Sequence, residues 1–162
     1  MASMNTGEKP QEEIKMKKVV VCVSMQDERE TVELEQLKDS GILEGREVHF
    51  LTVFKVGRHI NELSVFNFPS DQQFDDIEKA ILDVQKGIAE KILGPKELEQ
   101  SKQVCYFDAN PKIKVRDYLK EQNADLVVTS VRKHGVEGLF VSSFTDYMTQ
   151  HAPCNVFVVK HN

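Results

Sequence analysis

Two rhythms of apolar residues alternate along the chain. The first is the short unbroken run. Lys18-Val19-Val20-Val21-Cys22-Val23-Ser24 is mostly β-branched, as suits a strand buried on both faces of a parallel sheet. Glu47 to Phe54, Gln103 to Phe107, Leu126 to Thr129 and Asn155 to Val159 repeat it, so five strands are predicted. The second rhythm is helical. Phe74, Ile77, Ile81, Val84, Ile88 and Ile92 recur at spacings of three and four, one apolar face that Gly94-Pro95 stops. Val115, Tyr118, Leu119 and Gln122 mark the inner side of another helix, with Asn110 as its N-cap and Pro111 at its first position. Phe144, Tyr147, Met148 and His151 mark a last one. Met25 to Asp39 is charged, with Val32, Leu34 and Leu37 as its few apolar points, and is predicted helical up to Gly41 and Gly45.

Strands alternating with helices predict an α/β fold, a five-stranded parallel doubly wound sheet, Rossmann-like, with helices on both faces. Right-handed crossovers restrict the topology further. Lys55 to Gln73 breaks both rhythms. So long a connection, with Phe66, Phe68 and Pro69 near its centre, is expected to be a lid, a binding loop or an interface segment. No linker divides the remainder, so residues 17–162 are predicted to form one domain behind a flexible polar N-terminus at 1–16. Met1-Ala2-Ser3 ahead of Met4 is compatible with an added leader or a natural one, and the segment lacks the apolar region of a secretory signal.

Composition narrows the partners. A net charge of −5 argues against nucleic acid, whose phosphates are bound by clustered Lys and Arg. No apolar run approaches the ~20 residues of a membrane span. Cys22, Cys105 and Cys154 are odd in number and far apart, within or beside strand segments. They are expected to act as small buried hydrophobes in a reducing, cytoplasmic compartment.

Doubly wound sheets bind ligands outside the carboxyl ends of their strands, where strand order reverses. That edge should collect Val23-Ser24, Val53-Phe54, Thr129-Ser130 and the loop Val131 to Ser143. A loop running from strand into helix attracts anions through its free backbone N–H groups. Here Arg132, Lys133 and His134 add charge, Gly135 and Gly138 keep the loop supple, and Ser142 and Ser143 can donate at the helix start. Two readings stand: a solvated basic loop, or a site for a nucleotide or other anion. No catalytic or metal constellation emerges, and no enzyme is expected. His49 lies inside a strand and His59 in the long connection, while His151 is expected to be packed and hydrogen-bonded. Asp108 and Asp146 lack an acid–base partner by spacing, and Ser24 lacks a nucleophile elbow. Asp71, Asp75 and Asp76 read as a solvated or capping helix start.

Asn123-Ala124-Asp125-Leu126-Val127-Val128 and Gln150-His151-Ala152-Pro153-Cys154-Asn155-Val156 resemble two C-terminal blocks of the universal stress protein family (UspA-like domains). The likeness extends over nearly all of Lys17 to Lys160, on a fold shared with adenine nucleotide α-hydrolase-like proteins. In that family a G-2x-G-9x-G-[ST] loop cradles ATP, and an Asp follows the first strand. Here Thr129, Arg132 and Ser142 stand at the three glycine positions, Ser143 keeps the hydroxyl, and Ser24 replaces the Asp. The resemblance therefore implies the subclass without the ATP loop: a cytoplasmic, stress-associated regulatory or protective protein with no cofactor. The alternative is a switch that still binds ATP or AMP with Mg²⁺ through residues 129–143. A slow nucleotide hydrolase ranks last, since no water-activating residue is apparent. The resemblance also implies a homodimer through the final strand, Val156-Phe157-Val158-Val159, whose apolar centre is unguarded by charge or proline. The helix Phe74–Leu93 or the 55–73 connection covering that edge is the alternative. A further, unidentified protein partner is compatible with either.

Overall fold

The computed structural model describes residues 17–25, 30–57, 71–131 and 143–160. The N-terminus at 1–16, and His59, Phe66, Phe68 and Pro69 of the long connection, lie outside them. The strands are β1 (Lys18–Cys22), β2 (Glu47–Lys55), β3 (Lys102–Asp108), β4 (Leu126–Val131) and β5 (Asn155–Lys160). The helices are α1 (Glu30–Ser40), α2 (Asp71–Ile92), α3 (Pro95–Gln100), α4 (Pro111–Glu121) and α5 (Ser143–His151). All four strand pairings are parallel, in the order β3-β2-β1-β4-β5. The expected α/β sheet is thus present, with β3 and β5 at its edges.

Side-chain alternation splits the sheet into two apolar faces. Val19, Val21, Val48, Phe50 and Val128 pack against Leu34 and Leu37 of α1 and Ile88, Ala89 and Ile92 of α2. Val20, Leu51 and Val127 point the other way, onto Val115, Tyr118 and Leu119 of α4 and Met148 of α5. Central strands covered on both sides are why β1 and β4 read as continuous apolar runs.

Four expectations need correction. The first helix does not start at Met25. That residue has φ 60°, in the left-handed region, and the described helix begins at Glu30. In α2 the apolar face is rotated, leaving Val84 41% exposed while Gln85 is fully buried. Gln85 belongs inside because its Nε2 donates to Thr52 Oγ1 (2.8 Å) and to the Val104 carbonyl (3.0 Å), tying α2 to β2 and β3. Gly94-Pro95 does end α2, yet Pro95 also opens α3, where proline at the first position loses nothing. Glu97 of α3 accepts from the Gly45 backbone N–H at 2.9 Å, which holds its carboxyl below the usual range. The cysteines, finally, are half-buried rather than sealed in the core. Burial pushes the Cys105 thiol up to about 11 and raises that of Cys154.

The start of α4 follows expectation. Asn110 Oδ1 accepts from the Ile113 N–H at 3.5 Å, and Pro111 occupies the first position. Asn110→Ala should cost about 1 kcal/mol, a typical N-cap value. A lower urea midpoint at unchanged slope would report it.

Candidate functional site

At the carboxyl edge β1 lies between β2 and β4, so the chain leaves β1 toward one side and returns beside it on the other. This is the reversal point of the sheet. Ser24 follows β1 and is exposed, and Met25 comes next. A non-glycine residue in the left-handed region costs roughly 1–2 kcal/mol. Met25 packs against the first apolar cluster, which holds the strained turn in place. Beneath it Thr52 Oγ1 donates to the Val23 carbonyl at 2.8 Å, and Val23 N–H donates to the Leu51 carbonyl at 2.9 Å. The end of β1 is thereby fastened to β2. Val53 is half-buried on the second apolar face, and Phe54, 39% exposed, lies beside the Phe107 ring at 5.7 Å.

Thr129 is 1% exposed, and its side chain turns toward α5. Thr145 Oγ1 lies 3.3 Å from Thr129 Oγ1 and 3.5 Å from the Ser130 carbonyl. The Thr145 hydroxyl donates to that of Thr129, and the two fill the seam where β4 meets the first turn of α5. Ser130 is half-buried, and Ser143 is exposed as the first residue of α5. The structure therefore brings Ser24, Thr129, Ser130 and Ser143 to one edge. Arg132, Lys133, Gly135, Gly138 and Ser142 lie outside the described residues, as does His134. Thr145 is the addition that the sequence reading missed. Its signal was local: a hydroxyl in the first turn of α5, opposite a strand end that also carries one.

Two shallow depressions lie elsewhere. One, of about 380 Å³, is lined by Ala124, Asp125 and Ala152 to Asn155 at the amino ends of β4 and β5. The other, of about 320 Å³, runs between α1 and β5 and is lined by Gln36, Leu37, Ser40 and Phe157 to Lys160. Neither includes Ser24, Thr129 or Ser143.

The remaining candidate residues have structural surroundings. Asp108 Oδ1 accepts from the Asn110 N–H at 2.7 Å, and Asp146 Oδ1 accepts from Gln150 Nε2 at 3.1 Å. Asp71, Asp75 and Asp76 are exposed at the start of α2, with Gln72 Nε2 donating to Asp76 at 3.1 Å. His151 corrects its expectation. It is exposed rather than packed inside, with its ring against Tyr147 at 4.6 Å, because α5 buries Thr145 and Met148 instead. Among the described residues no group of three or more His, Cys, Asp or Glu is arranged to hold a metal.

His49 is more than a strand residue. It is 0% exposed, with Nδ1 2.7 Å from Tyr118 Oη and Nε2 2.6 Å from Glu47 Oε1. Glu47, two residues earlier on the same strand, was the half of this arrangement legible in sequence. Tyr118 arrives from α4, 69 positions away.

The fold has many solved counterparts. The universal stress protein UspA from Lactobacillus plantarum superposes with TM-score 0.64 at 21% identity, covering 88% of this chain and 97% of that one. A universal stress protein from Archaeoglobus fulgidus gives 0.63 at 18% identity, over 89% and 93% of the two chains. A family protein from Arabidopsis thaliana, solved with AMP bound, gives 0.54 at 16%, over 90% and 92%. At such identities these likenesses establish the fold alone. No curated protein sequence matches the chain. The family model, however, matches residues 15–160. The chain belongs to the universal stress protein family.

Proposed function

We propose that this chain is a cytoplasmic stress-response protein, regulatory or protective, that works as a homodimer without chemistry of its own and binds ATP weakly or not at all. The observation that carries the reading is Thr129, buried against Thr145 where the family's ATP loop has a glycine. Glycine matters there because a backbone without Cβ can approach phosphate closely. Thr129 carries a side chain there, turned into the seam between β4 and α5, and it ties the turn to the helix. Ser24 in place of the family's Asp removes an anionic acceptor for the nucleotide. A lost hydrogen bond to a charged group costs about 1.5–3 kcal/mol, and about 1.4 kcal/mol is tenfold in affinity. Calorimetric titration with ATP and Mg²⁺ should give a Kd weaker than about 1 mM. Micromolar affinity would overturn the reading.

The second reading is an ATP- or AMP-responsive switch. It is favoured by the Arabidopsis thaliana relative with AMP bound and by Arg132 and Lys133, whose charges suit an anion at a helix start. Mass spectrometry of small molecules released from the purified protein separates the two. AMP or ATP at stoichiometric amounts would select the switch.

A further inference from the structure

The Glu47–His49–Tyr118 array lies on the second face of the sheet, toward the amino end of β2 and away from the carboxyl edge. Its protons can be assigned. The hydrogen bond from His49 is the main reason the Glu47 carboxyl is held below its usual range, so Glu47 is ionised and only accepts. Nε2 of His49 therefore carries a proton. A neutral ring then has only a lone pair at Nδ1, so the Tyr118 hydroxyl donates to it. Burial pushes that phenol up to about 12, which keeps its proton in place. One arrangement satisfies all three groups.

A second proton on His49 breaks this arrangement. Nδ1 becomes a donor, the phenol oxygen has to accept from it, and the Tyr118 O–H loses its acceptor in a buried position. A cation also enters the core. Every charged neighbour bears on the cost. Glu47 on the same strand favours the imidazolium, whereas Lys18 from β1 and Lys102 from β3 oppose it. The Lys102 ammonium is 3.9 Å from Glu47 Oε1. Tyr118 faces the ring from α4, with Tyr106 of β3 edge-on behind it at 5.9 Å. Burial outweighs the rest and lowers the pKa of His49.

We propose that the Glu47–His49–Tyr118 array is an acid-released latch between β2 and α4, closed while His49 is neutral and opened when it takes up a second proton. The direction follows from linkage. With the folded-state value below the ordinary 6.5, the unfolded chain takes the proton first as pH falls. The latch contributes fully above about pH 6.5 and is lost progressively below it. Glu47, also lowered, adds a second window that opens below its ordinary 4.5. The element released is α4, whose inner face is Val115, Tyr118 and Leu119.

Amide hydrogen exchange on the full chain tests this at about pH 7.5 and about pH 5.5, corrected for intrinsic rates. The amides of α4 should lose up to about tenfold in protection, the ceiling for one group of ordinary pKa 6.5 over that interval, while those of Ile81–Ile92 in α2 hold theirs. His49→Gln should abolish the difference, and His151→Gln should leave it. Equal loss in α2 and α4, or a response that survives in His49→Gln, overturns the latch. Should His49→Gln fail to fold, the wild-type imidazole nitrogens decide by NMR. Protonation of Nδ1 over the range in which α4 loosens supports the proposal. A doubly protonated His49 beneath a fully protected α4 refutes it.

Discussion

Val158→Lys is expected to be a folded monomer, against the dimer expected of the wild-type chain. β5 is an edge strand, bonded through β4 alone in the sheet order, and an apolar edge with unpaired backbone groups invites a second chain. Its four central residues differ in duty. Val159 is 4% exposed and belongs to the first apolar cluster, while Phe157 and Val156 pack against the first and second clusters respectively. Val158 is half-buried and belongs to neither cluster, lining instead the groove beside α1. A lysine there spares the fold. In an isologous contact it would meet its symmetry mate, two like charges taken out of water, at a cost of several kcal/mol. Light scattering at tens of micromolar, roughly the concentration that reveals a weak dimer, should give the monomer mass for the variant, with its melting curve little changed. Val159→Lys is the contrast, since it puts the charge in the core and should unfold the chain. A wild type that is monomeric under the same conditions refutes the dimer.

Phe50→Ala should lower the unfolding free energy by about 3–5 kcal/mol, the usual cost of truncating a sealed aromatic. Phe50 is 0% exposed on β2, among the side chains of β1, α1 and α2. The surrounding backbone is pinned by strands on both sides, so the void cannot collapse. Domains of this size have about 5–15 kcal/mol in total, so the variant should be close to marginal. Equilibrium urea unfolding should show a lower midpoint with an unchanged slope. A loss under about 1 kcal/mol would mean the site repacks.

The candidate site shows where sequence reading stops. Ser24, Thr129, Ser130 and Ser143 could be assigned to one edge because strand ends and loop order follow from topology. That Thr129 is turned into α5 could not, since it depends on which side chain of α5 faces it. The same limit hid Tyr118 from His49. Periodicity says that a residue points inward, and only the register of α4 against β2 says what it meets. In α2 it also placed Val84 on the inner face and gave no sign of Gln85. The structure exposes Val84 and buries Gln85, because Thr52 and the Val104 carbonyl offer Gln85 two acceptors that hydrophobicity does not count.

Local chemistry determined much on its own. The β-branched runs at Val19–Val21 and Val156–Val159 required strands, since branched side chains favour the pleated backbone and two covered faces remove polar alternation. Asn110-Pro111 required a helix start, because proline presets φ and asparagine caps the free N–H groups. The strand–helix alternation then left a parallel sheet. Tertiary structure alone decided that Pro95 opens α3 as well as ending α2, that Met25 is a strained turn, and that Val158 belongs to neither apolar cluster while its neighbours on β5 do. These depend on residues brought together from distant parts of the chain. A free energy of that kind is a property of the contact, and no single segment carries it.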